Sequence, residues 1–252
     1  MKSAVFLAAA VVLLSACSSL QTVRRPGEQD AGMLLARISH INAGIRDIKG
    51  IGRLRLATGA TRNSARVALA GTADGALRID LIGIDGRPLA NLAANGTWLS
   101  FRGYRPYQFH RRPSSSASLE KILSIPVAVK EAVLLLCGRI PVVAHQEAVL
   151  LPAQDDEAAR ILLKGFWGRV KQTIDLGGDG VTPVAAAFFD AGGDLRYHVH
   201  RFDLRPTGGY PIPFGLTLTG GSGALVTLTF DRLSTDTGLP DDLFVRRDAP
   251  PQ

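Results

Sequence analysis

The chain has 252 residues, of which 46% are hydrophobic, so it is long enough for one all-β or mixed domain with a substantial core. Its 29 basic and 22 acidic residues give a net charge of +7. The arginines are scattered along the chain, which argues against one massed basic block. The charge therefore indicates either an attraction to anionic lipid surfaces or an ordinary solvated surface.

The N-terminal residues have the pattern of an export signal. An uncharged run from Ser3 to Ala16 follows Lys2 and ends in small residues before Cys17. This pattern is typical of a secretory signal, and the run is too short to span a bilayer well. The sequence LSAC, which ends at Cys17, also resembles the bacterial lipobox, in which the peptide is cut before the cysteine and the thiol carries a diacylglycerol. We therefore predict a signal peptide at 1–16 and lipid attachment at Cys17. The alternative is an ordinary signal peptide with an incidental cysteine. Because an exported protein does not meet nucleic acid, we expect no nucleic-acid partner.

A polar segment and one helix follow the predicted signal. Residues 17–29 contain Pro26 and Gly27 and are predicted to be a flexible tether, so we expect a single domain at 30–252. Asp30 is the expected N-cap of an amphipathic helix. Its apolar positions have helical spacing and are Leu34, Ile38, Ile41 and Ile45.

From Ile48 the hydrophobic period changes to two, which predicts β-strands. The first segment places Ile48, Leu54 and Leu56 on one face and the basic residues between them on the other. Similar alternation recurs after Ala65, after Ala76, after Arg87 and after Gly96, with Asp-Gly or Asn-Gly turns between the later segments. Strands joined by tight turns predict an antiparallel meander with one apolar face.

The middle of the chain predicts two short helices. The segment LEKILS is the first, and the second is expected to begin at Pro126 and to stop at Gly138. Such short helices need an apolar partner, and the inner face of the meander is the available one. Cys137 lies in the second helical stretch and is either a buried inert thiol, which we favour, or a reactive one.

Seven further strand patterns follow between Glu147 and Leu233, which brings the predicted total to roughly twelve. The predicted fold is α+β and mainly β: a curved antiparallel sheet with helices covering its concave apolar face.

This order of elements resembles the LolA/LolB superfamily of lipoprotein carriers and receptors. The segment RIDLIGIDGRPLANLAANGTWLSF resembles the hairpin of that family, LEKILSIPVAVKEAVLLLCGRIPV its mid-chain helical segment, and LPDDLFVRR its terminal element. The resemblance implies a LolB-like half-open β-barrel with a helical lid around an apolar cavity. It also implies binding of the acyl chains of lipoproteins or other amphiphiles, with a periplasmic lipoprotein carrier as a partner.

The expected cavity is lined by inward-facing strand residues and by the apolar faces of the helices. Alternating aliphatic residues are also the ordinary composition of a core, so for each of these residues the alternative is plain packing. The candidates are Leu54, Leu56, Val67, Leu69, Leu77, Ile79, Leu81, Leu99, Phe101, Val129, Val133 and Leu136.

The family resemblance implies a membrane-insertion loop, in which an apolar residue on a protruding hairpin helps to transfer cargo. The matching loop is 83–88, and Ile84 is the candidate tip, with an ordinary strand end as the alternative. Asp85 lies beside it, and a carboxylate is costly to move into hydrocarbon. Ser18, rather than Asp, follows Cys17, which in the sorting logic of the family favours a lipid-anchored location on the periplasmic face of the outer membrane.

Motifs for catalysis are weak. The sequence has no Gly-x-Ser-x-Gly elbow and no P-loop. His198 and His200 share one strand face, where they are either solvated or part of a metal site for which we find no further ligands. We therefore expect no enzyme activity, no cofactor and no metal. The alternative to the transport function is a structural or assembly lipoprotein on the same fold with a filled cavity. An envelope hydrolase ranks last.

Overall fold

The structure is a computed structural model that describes residues 26–104, 106–113, 118–152 and 159–245. The predicted signal peptide, Cys17 and most of the predicted tether lie outside the described residues. The helices are α1 (Pro26–His40), α2 (Glu120–Leu123) and α3 (Val129–Leu136), with short 3₁₀ turns at Phe166–Gly168 and Asp241–Phe244. None of the described helices has the length and apolar character needed to cross a bilayer.

The described residues form thirteen strands. In chain order these are β1 (Asp47–Thr58), β2 (Thr61–Thr72), β3 (Leu77–Ile82), β4 (Pro88–Ala94), β5 (Trp98–Tyr104), β6 (Tyr107–Pro113), β7 (Glu147–Leu151), β8 (Arg160–Lys164), β9 (Val170–Leu176), β10 (Pro183–Phe189), β11 (Leu195–Thr207), β12 (Tyr210–Gly220) and β13 (Leu225–Thr235).

All thirteen strands belong to one curved, open antiparallel sheet, which confirms the predicted mainly β fold. The order across the sheet is β6-β5-β4-β3-β2-β1-β13-β12-β11-β10-β9-β8-β7. The sheet therefore consists of two meanders, β1–β6 and β7–β13, which join where β1 pairs with β13. The segment with α2 and α3 connects the two outer strands, β6 and β7.

The predicted alternation on the first strand is confirmed. Ile48 and Gly52 face inward and are buried, whereas Lys49, Arg53 and Arg55 are exposed. The register shifts between Ile51 and Gly52, where β13 carries one extra residue. This β-bulge adds local twist at the junction of the two meanders.

Two predicted helix starts are wrong. Helix α1 begins at Pro26, so Asp30 lies inside the helix and is not its N-cap. Helix α3 begins at Val129 rather than at Pro126, because the Pro126 carbonyl accepts a 2.9 Å hydrogen bond from Arg196 Nη2 instead of joining a helical turn. The Glu131 carboxylate accepts the Ala128 N–H at 3.0 Å, which satisfies a free donor at the start of α3.

The predicted stop at Gly138 is confirmed, because α3 ends at Leu136 and Gly138 has φ +71°. A Cβ at this position would lie 2.6 Å from Asn42 Nδ2, so the close approach also requires glycine.

One continuous core lies between the concave face of the sheet and the helices. Its buried members come from both meanders and from α1 and α3, and the partly buried Ile122 and Leu123 of α2 pack against them. Helix α1 packs against β7 and buries Ala31, Leu35 and Ile38. Helices α2 and α3 lie over the other half of the sheet and form what we call the lid, residues 119–136.

Candidate functional site

An apolar cavity lies between the lid and the concave face of the sheet. Its free space is about 80 Å³. One water needs roughly 10–15 Å³, and an engineered cavity of roughly 150 Å³ takes up one benzene molecule. The cavity therefore has room for a small group, and a whole acyl chain requires movement of the lid. The wall residues from the lid are Leu119, Ile122, Leu123, Val127, Ala132, Leu135 and Leu136.

The wall is almost entirely aliphatic. Of the described residues on it, Asn91 alone has a polar side chain. Asn91 pairs with Asp80 across β3 and β4, and its Nδ2 donates to Asp80 Oδ1 at 2.5 Å. Arg78 Nε in turn lies 2.7 Å from Asp80 Oδ2. These three side chains satisfy one another, so the cavity itself presents no charged group to a ligand.

Solved structures show which fold surrounds this cavity. No protein-family model matches the chain, and no curated protein is similar to it in sequence. A LolA superfamily protein from Nitrosomonas europaea matches with a TM-score of 0.59 at 16% identity, over 86% of this chain and 97% of that one. The chain has the LolA-superfamily fold.

Two further structures agree. A DUF1329 family protein from Desulfovibrio piger has a TM-score of 0.56 at 12% identity and covers 87% of this chain and 97% of its own. An outer membrane lipoprotein-sorting protein domain from Vibrio parahaemolyticus has a TM-score of 0.50 at 14% identity, with 86% and 95% covered. Sequence identities of 12% to 16% support a shared fold and do not by themselves show a shared function.

The structure brings most of the predicted cavity residues together on this wall. The ones that line the cavity are Leu54, Val67, Leu69, Leu77, Ile79, Leu81, Phe101 and Leu136. The other four lie beside it: Leu99, Val129 and Val133 are buried in the core, and Leu56 is half-buried against that core. A role in acyl-chain binding stays a prediction for all twelve.

Part of the wall was not predicted from the sequence. Strands β12 and β13 contribute Leu216, Leu218, Val226 and Leu228. These residues alternate along their strands just as those of β1–β3 do. The pattern does not reveal that β13 pairs with β1. This pairing places β12 and β13 beside the lid.

The predicted insertion loop protrudes from the sheet. Ile84 is 100% exposed between β3 and β4. The Gly83 N–H donates to the Arg87 carbonyl at 2.9 Å and the Gly86 N–H to the Gly83 carbonyl at 3.0 Å, so the loop is a tight turn. Asp85 Oδ1 accepts the Arg87 N–H at 3.1 Å, and its carboxylate lies 3.9 Å from Arg87 Nε. The negative charge beside the tip is thus partly balanced.

Three buried polar side chains hold the segment that follows the lid. Asn42 Nδ2 donates to the carbonyls of Cys137 at 3.0 Å and Pro211 at 2.9 Å. Arg201, only 3% exposed, donates through Nη1 to the Gly138 carbonyl at 2.5 Å. Burial lowers the pKa of Arg201 to about 10, so it stays charged at neutral pH. A cation is favourable here because the carbonyls at the end of α3 carry partial negative charge.

The third of these anchors is Gln172, which is fully buried. Its Nε2 donates to the Pro141 carbonyl at 2.7 Å, and its Oε1 accepts the Val143 N–H at 2.9 Å. Together with Asn42 and Arg201 it fixes residues 137–143 to the second meander. Sequence periodicity gave no signal for these three residues.

The beginning of the lid is held by fewer polar contacts. Arg196 Nη2 donates to the Pro126 carbonyl at 2.9 Å and lies 3.8 Å from Glu131 Oε2. Arg112 Nη2 of β6 donates to the Ser118 carbonyl just before α2, and the other contacts of α2 with the sheet come from aliphatic side chains on the cavity wall.

Cys137 and the two histidines are placed away from the cavity. Cys137 is a free, buried cysteine, and burial raises the pKa of its thiol to about 12, so it is neutral at physiological pH. His198 is half-buried on β11, and burial lowers its pKa. Within the described ranges, no group of three or more His, Cys, Asp or Glu side chains is arranged to hold a metal ion.

Proposed function

We propose that this protein is a lipid-anchored, non-catalytic protein of the bacterial envelope that binds acyl chains beneath its lid. In the finer form of the proposal, Cys17 anchors it at the periplasmic face of the outer membrane, where it receives lipoproteins from a periplasmic carrier and inserts them. The observation that carries the proposal is the cavity, a charge-free aliphatic space enclosed by a two-helix lid.

Apolar burial is sufficient to bind such a ligand. Each buried CH₂ contributes roughly 0.8 kcal/mol, so several carbons together offset the cost of displacing the lid. No polar recognition is needed, which suits a wall on which Asn91 is already bonded to Asp80. The relative from Vibrio parahaemolyticus is described as an outer membrane lipoprotein-sorting domain, and this description supports the same class of cargo.

The anchors determine how the lid opens. Asn42, Arg201 and Gln172 fix the chain just after α3. Helix α2 is held by aliphatic contacts and by one bond from Arg112 to the preceding Ser118 carbonyl. We therefore infer that α2 and the start of α3 swing away from the sheet and that the end near Gly138 stays in place. The cargo then enters between the lid and strands β3–β5.

The small size of the cavity favours a second candidate function. The free space of about 80 Å³ is small, as expected for a structural or assembly lipoprotein whose cavity is filled by its own side chains. The two functions differ in whether the purified protein takes up an acyl chain.

A cavity-filling substitution tests the proposal. Ala132 lies on α3 and its side chain lines the cavity, so Ala132→Leu would occupy the space without polar atoms. We expect this variant to lose binding of a fluorescent fatty acyl probe while it remains folded. Lys130→Leu is the matched control, because Lys130 is exposed on the same helix and an aliphatic side chain there does not enter the cavity.

Three results would separate the functions. Probe binding by the wild type and by Lys130→Leu, but not by Ala132→Leu, supports the carrier function. A wild-type protein that binds no probe and carries no lipid in mass spectrometry supports the structural alternative. Equal binding by all three proteins would place the ligand outside this cavity.

A further inference from the structure

The turn between β8 and β9 presents two aromatic side chains to solvent. Phe166 is 72% exposed and Trp167 is 97% exposed. Trp167 has φ +64° and Gly168 has φ +70°, while the Gly165 N–H donates to the Arg169 carbonyl at 2.8 Å. Left-handed backbone is uncommon for a bulky residue. In the described part of the chain, neither ring packs against another ring or a cation, so the turn holds both rings outward.

This turn lies at the same end of the sheet as Ile84. Successive antiparallel strands reverse direction, so every second turn of a meander is at the same end. The turns β1–β2, β3–β4 and β5–β6 therefore share one end of the first meander, and β8–β9, β10–β11 and β12–β13 share one end of the second. Ala57 at the end of β1 pairs with Leu225 at the start of β13, which brings these two ends together. We call this end of the sheet the Ile84 rim.

The second tryptophan marks the other end. Trp98 begins β5, and the β4–β5 turn lies at the rim opposite to Ile84. The guanidinium of Arg111 lies 4.7 Å from the centre of its ring, and 40% of the residue is exposed. The two indoles of the chain thus report on opposite ends of the same sheet.

We propose that Phe166 and Trp167 form a second membrane-contacting tip, and that the domain rests on a lipid surface through the Ile84 rim. Indole and phenyl rings favour the interface between headgroups and acyl chains. Ile84 and Trp167 are on loops in different meanders, separated by strands β4 to β8 in the chain. A bilayer is a continuous apolar phase, so it can contact two separated tips at once. A protein partner would need a separate complementary pocket for each tip.

Both signs of charge lie around this turn and the two aromatic rings are its most exposed apolar groups, so apolar insertion drives the proposed contact. Arg169 Nη1 donates to the Ala191 carbonyl at 2.5 Å and Lys171 Nζ to the Ala144 carbonyl at 2.7 Å. The adjacent β10–β11 turn, which Arg169 reaches, also carries the carboxylates Asp190 and Asp194. The net charge of +7 on the whole chain adds a general attraction to anionic lipid. The contact does not require a loaded cavity, so it goes beyond the function proposed above.

Single-tryptophan variants test this orientation. Trp98→Phe leaves Trp167 as the only indole, and Trp167→Phe leaves Trp98. The full chain carrying either substitution is reconstituted with vesicles of phosphatidylethanolamine and phosphatidylglycerol whose acyl chains are brominated near the headgroup or near the tail end. We expect Trp167 fluorescence to shift to shorter wavelength and to be quenched, more strongly by shallow bromine than by deep bromine. Trp98 fluorescence should be unaffected.

Each other outcome overturns the proposal. Absence of quenching at Trp167 excludes contact through this rim, and quenching of Trp98 alone places the opposite rim on the membrane. Equal quenching of both indoles shows that the sheet has no fixed orientation. The acyl-probe measurement on the same two variants is independent, because neither tryptophan lines the cavity. Probe binding without quenching rejects the second tip only, and quenching without probe binding rejects the carrier function only.

Discussion

Ile84 is a fully exposed aliphatic side chain at the tip of a tight turn, next to a carboxylate. In the resting structure it has no stabilising role in the core, and its neighbour Asp85 is held by the backbone and side chain of Arg87. The arrangement suits a residue that enters an apolar phase while the adjacent charge stays at the surface.

Replacing Ile84 by Glu exchanges an apolar side chain for a charged one, which costs about 3 kcal/mol within hydrocarbon and corresponds to on the order of 100-fold in transfer. We expect Ile84→Glu to bind the acyl probe normally and to release it poorly into vesicles. Ile84→Leu should behave as the wild type in both assays. Unchanged transfer by Ile84→Glu would remove this residue from the functional site.

Asp47 is a buried carboxylate at the start of β1 that accepts several hydrogen bonds. Burial by itself raises its pKa, but hydrogen bonds from the backbone N–H groups of Thr237 and Gly238 and from the Thr237 hydroxyl together lower it below the usual value. The carboxylate joins the start of β1 to the chain after β13, with donor distances of 2.8 to 3.0 Å. Since its pKa is lower in the folded state, this stabilisation is present above about pH 4 and is lost as the pH falls through the folded-state pKa.

We therefore expect Asp47→Asn to lower the free energy of unfolding at pH 7 by about 1–3 kcal/mol. The loss relative to the wild type should shrink on acidification below pH 4, as measured by urea unfolding at several pH values. Asp231→Asn, at an exposed position on β13, is the control and should change stability little at any pH. A loss for Asp47→Asn that is the same at pH 3 and pH 7 would contradict the assignment.

At the scale of elements, the lid is attached more firmly at its end than at its beginning. Asn42, Arg201 and Gln172 bind backbone groups of residues 137–143. At the beginning of the lid, Arg196 of the second meander binds the Pro126 carbonyl and Arg112 of β6 binds the Ser118 carbonyl. Few hydrogen bonds and mainly aliphatic contacts are the properties expected of a segment that opens locally.

Loss of the Arg196 contact should loosen the lid. We expect Arg196→Ala to increase amide hydrogen exchange in residues 122–131 by about fivefold to tenfold, because one hydrogen bond of about 1 kcal/mol is removed. Uptake of the acyl probe should become faster. Arg205→Ala is the control, since Arg205 lies on the same strand and pairs at 2.6 Å with the exposed Asp203, far from the lid. Equal exchange in the two variants would show that Arg196 does not hold the lid.

The elements also show how far sequence alone could lead. Alternating aliphatic residues predicted twelve strands, but β6 was missed because this edge strand has mostly exposed residues and no apolar alternation. The start of α3 was misplaced because the carbonyl of Pro126 is used by Arg196, a contact between residues 70 positions apart. Eight of the twelve predicted wall residues lie on the cavity. The polar anchors and the wall from β12 and β13 depend on distant pairing, which no local pattern contains.

At the scale of the whole molecule, one strand pair unites the two meanders. β1 and β13 pair from Ile48 to Ala57, and Gly52 lies at the bulge in this ladder. A Cβ on Gly52 would collide with the Thr229 carbonyl oxygen and would lie 2.8 Å from Phe230 Cα. Because these are backbone atoms of the partner strand, relief requires separation of the strands themselves.

We therefore expect Gly52→Ala to lower the free energy of unfolding by about 2 kcal/mol, within the range for overpacked sites. Weaker coupling of the meanders should also broaden or split the unfolding transition followed by circular dichroism and by tryptophan fluorescence. Gly178→Ala is the control, because no atom lies within 4 Å of a Cβ at that position. If Gly52→Ala were as stable as this control, the β1–β13 pair would accommodate the methyl group without separating, and the prediction would be wrong.

The pairing of β1 with β13 also has a consequence for biosynthesis. The neighbour of β1 is encoded more than 160 positions later, so the nascent polypeptide cannot complete its sheet until β13 has been synthesised. A premature stop codon before Leu225, or a protease cut that frees this strand, would remove one neighbour from both β1 and β12. Truncation before Leu225 should therefore act as a loss of the entire sheet and not as the loss of a peripheral segment.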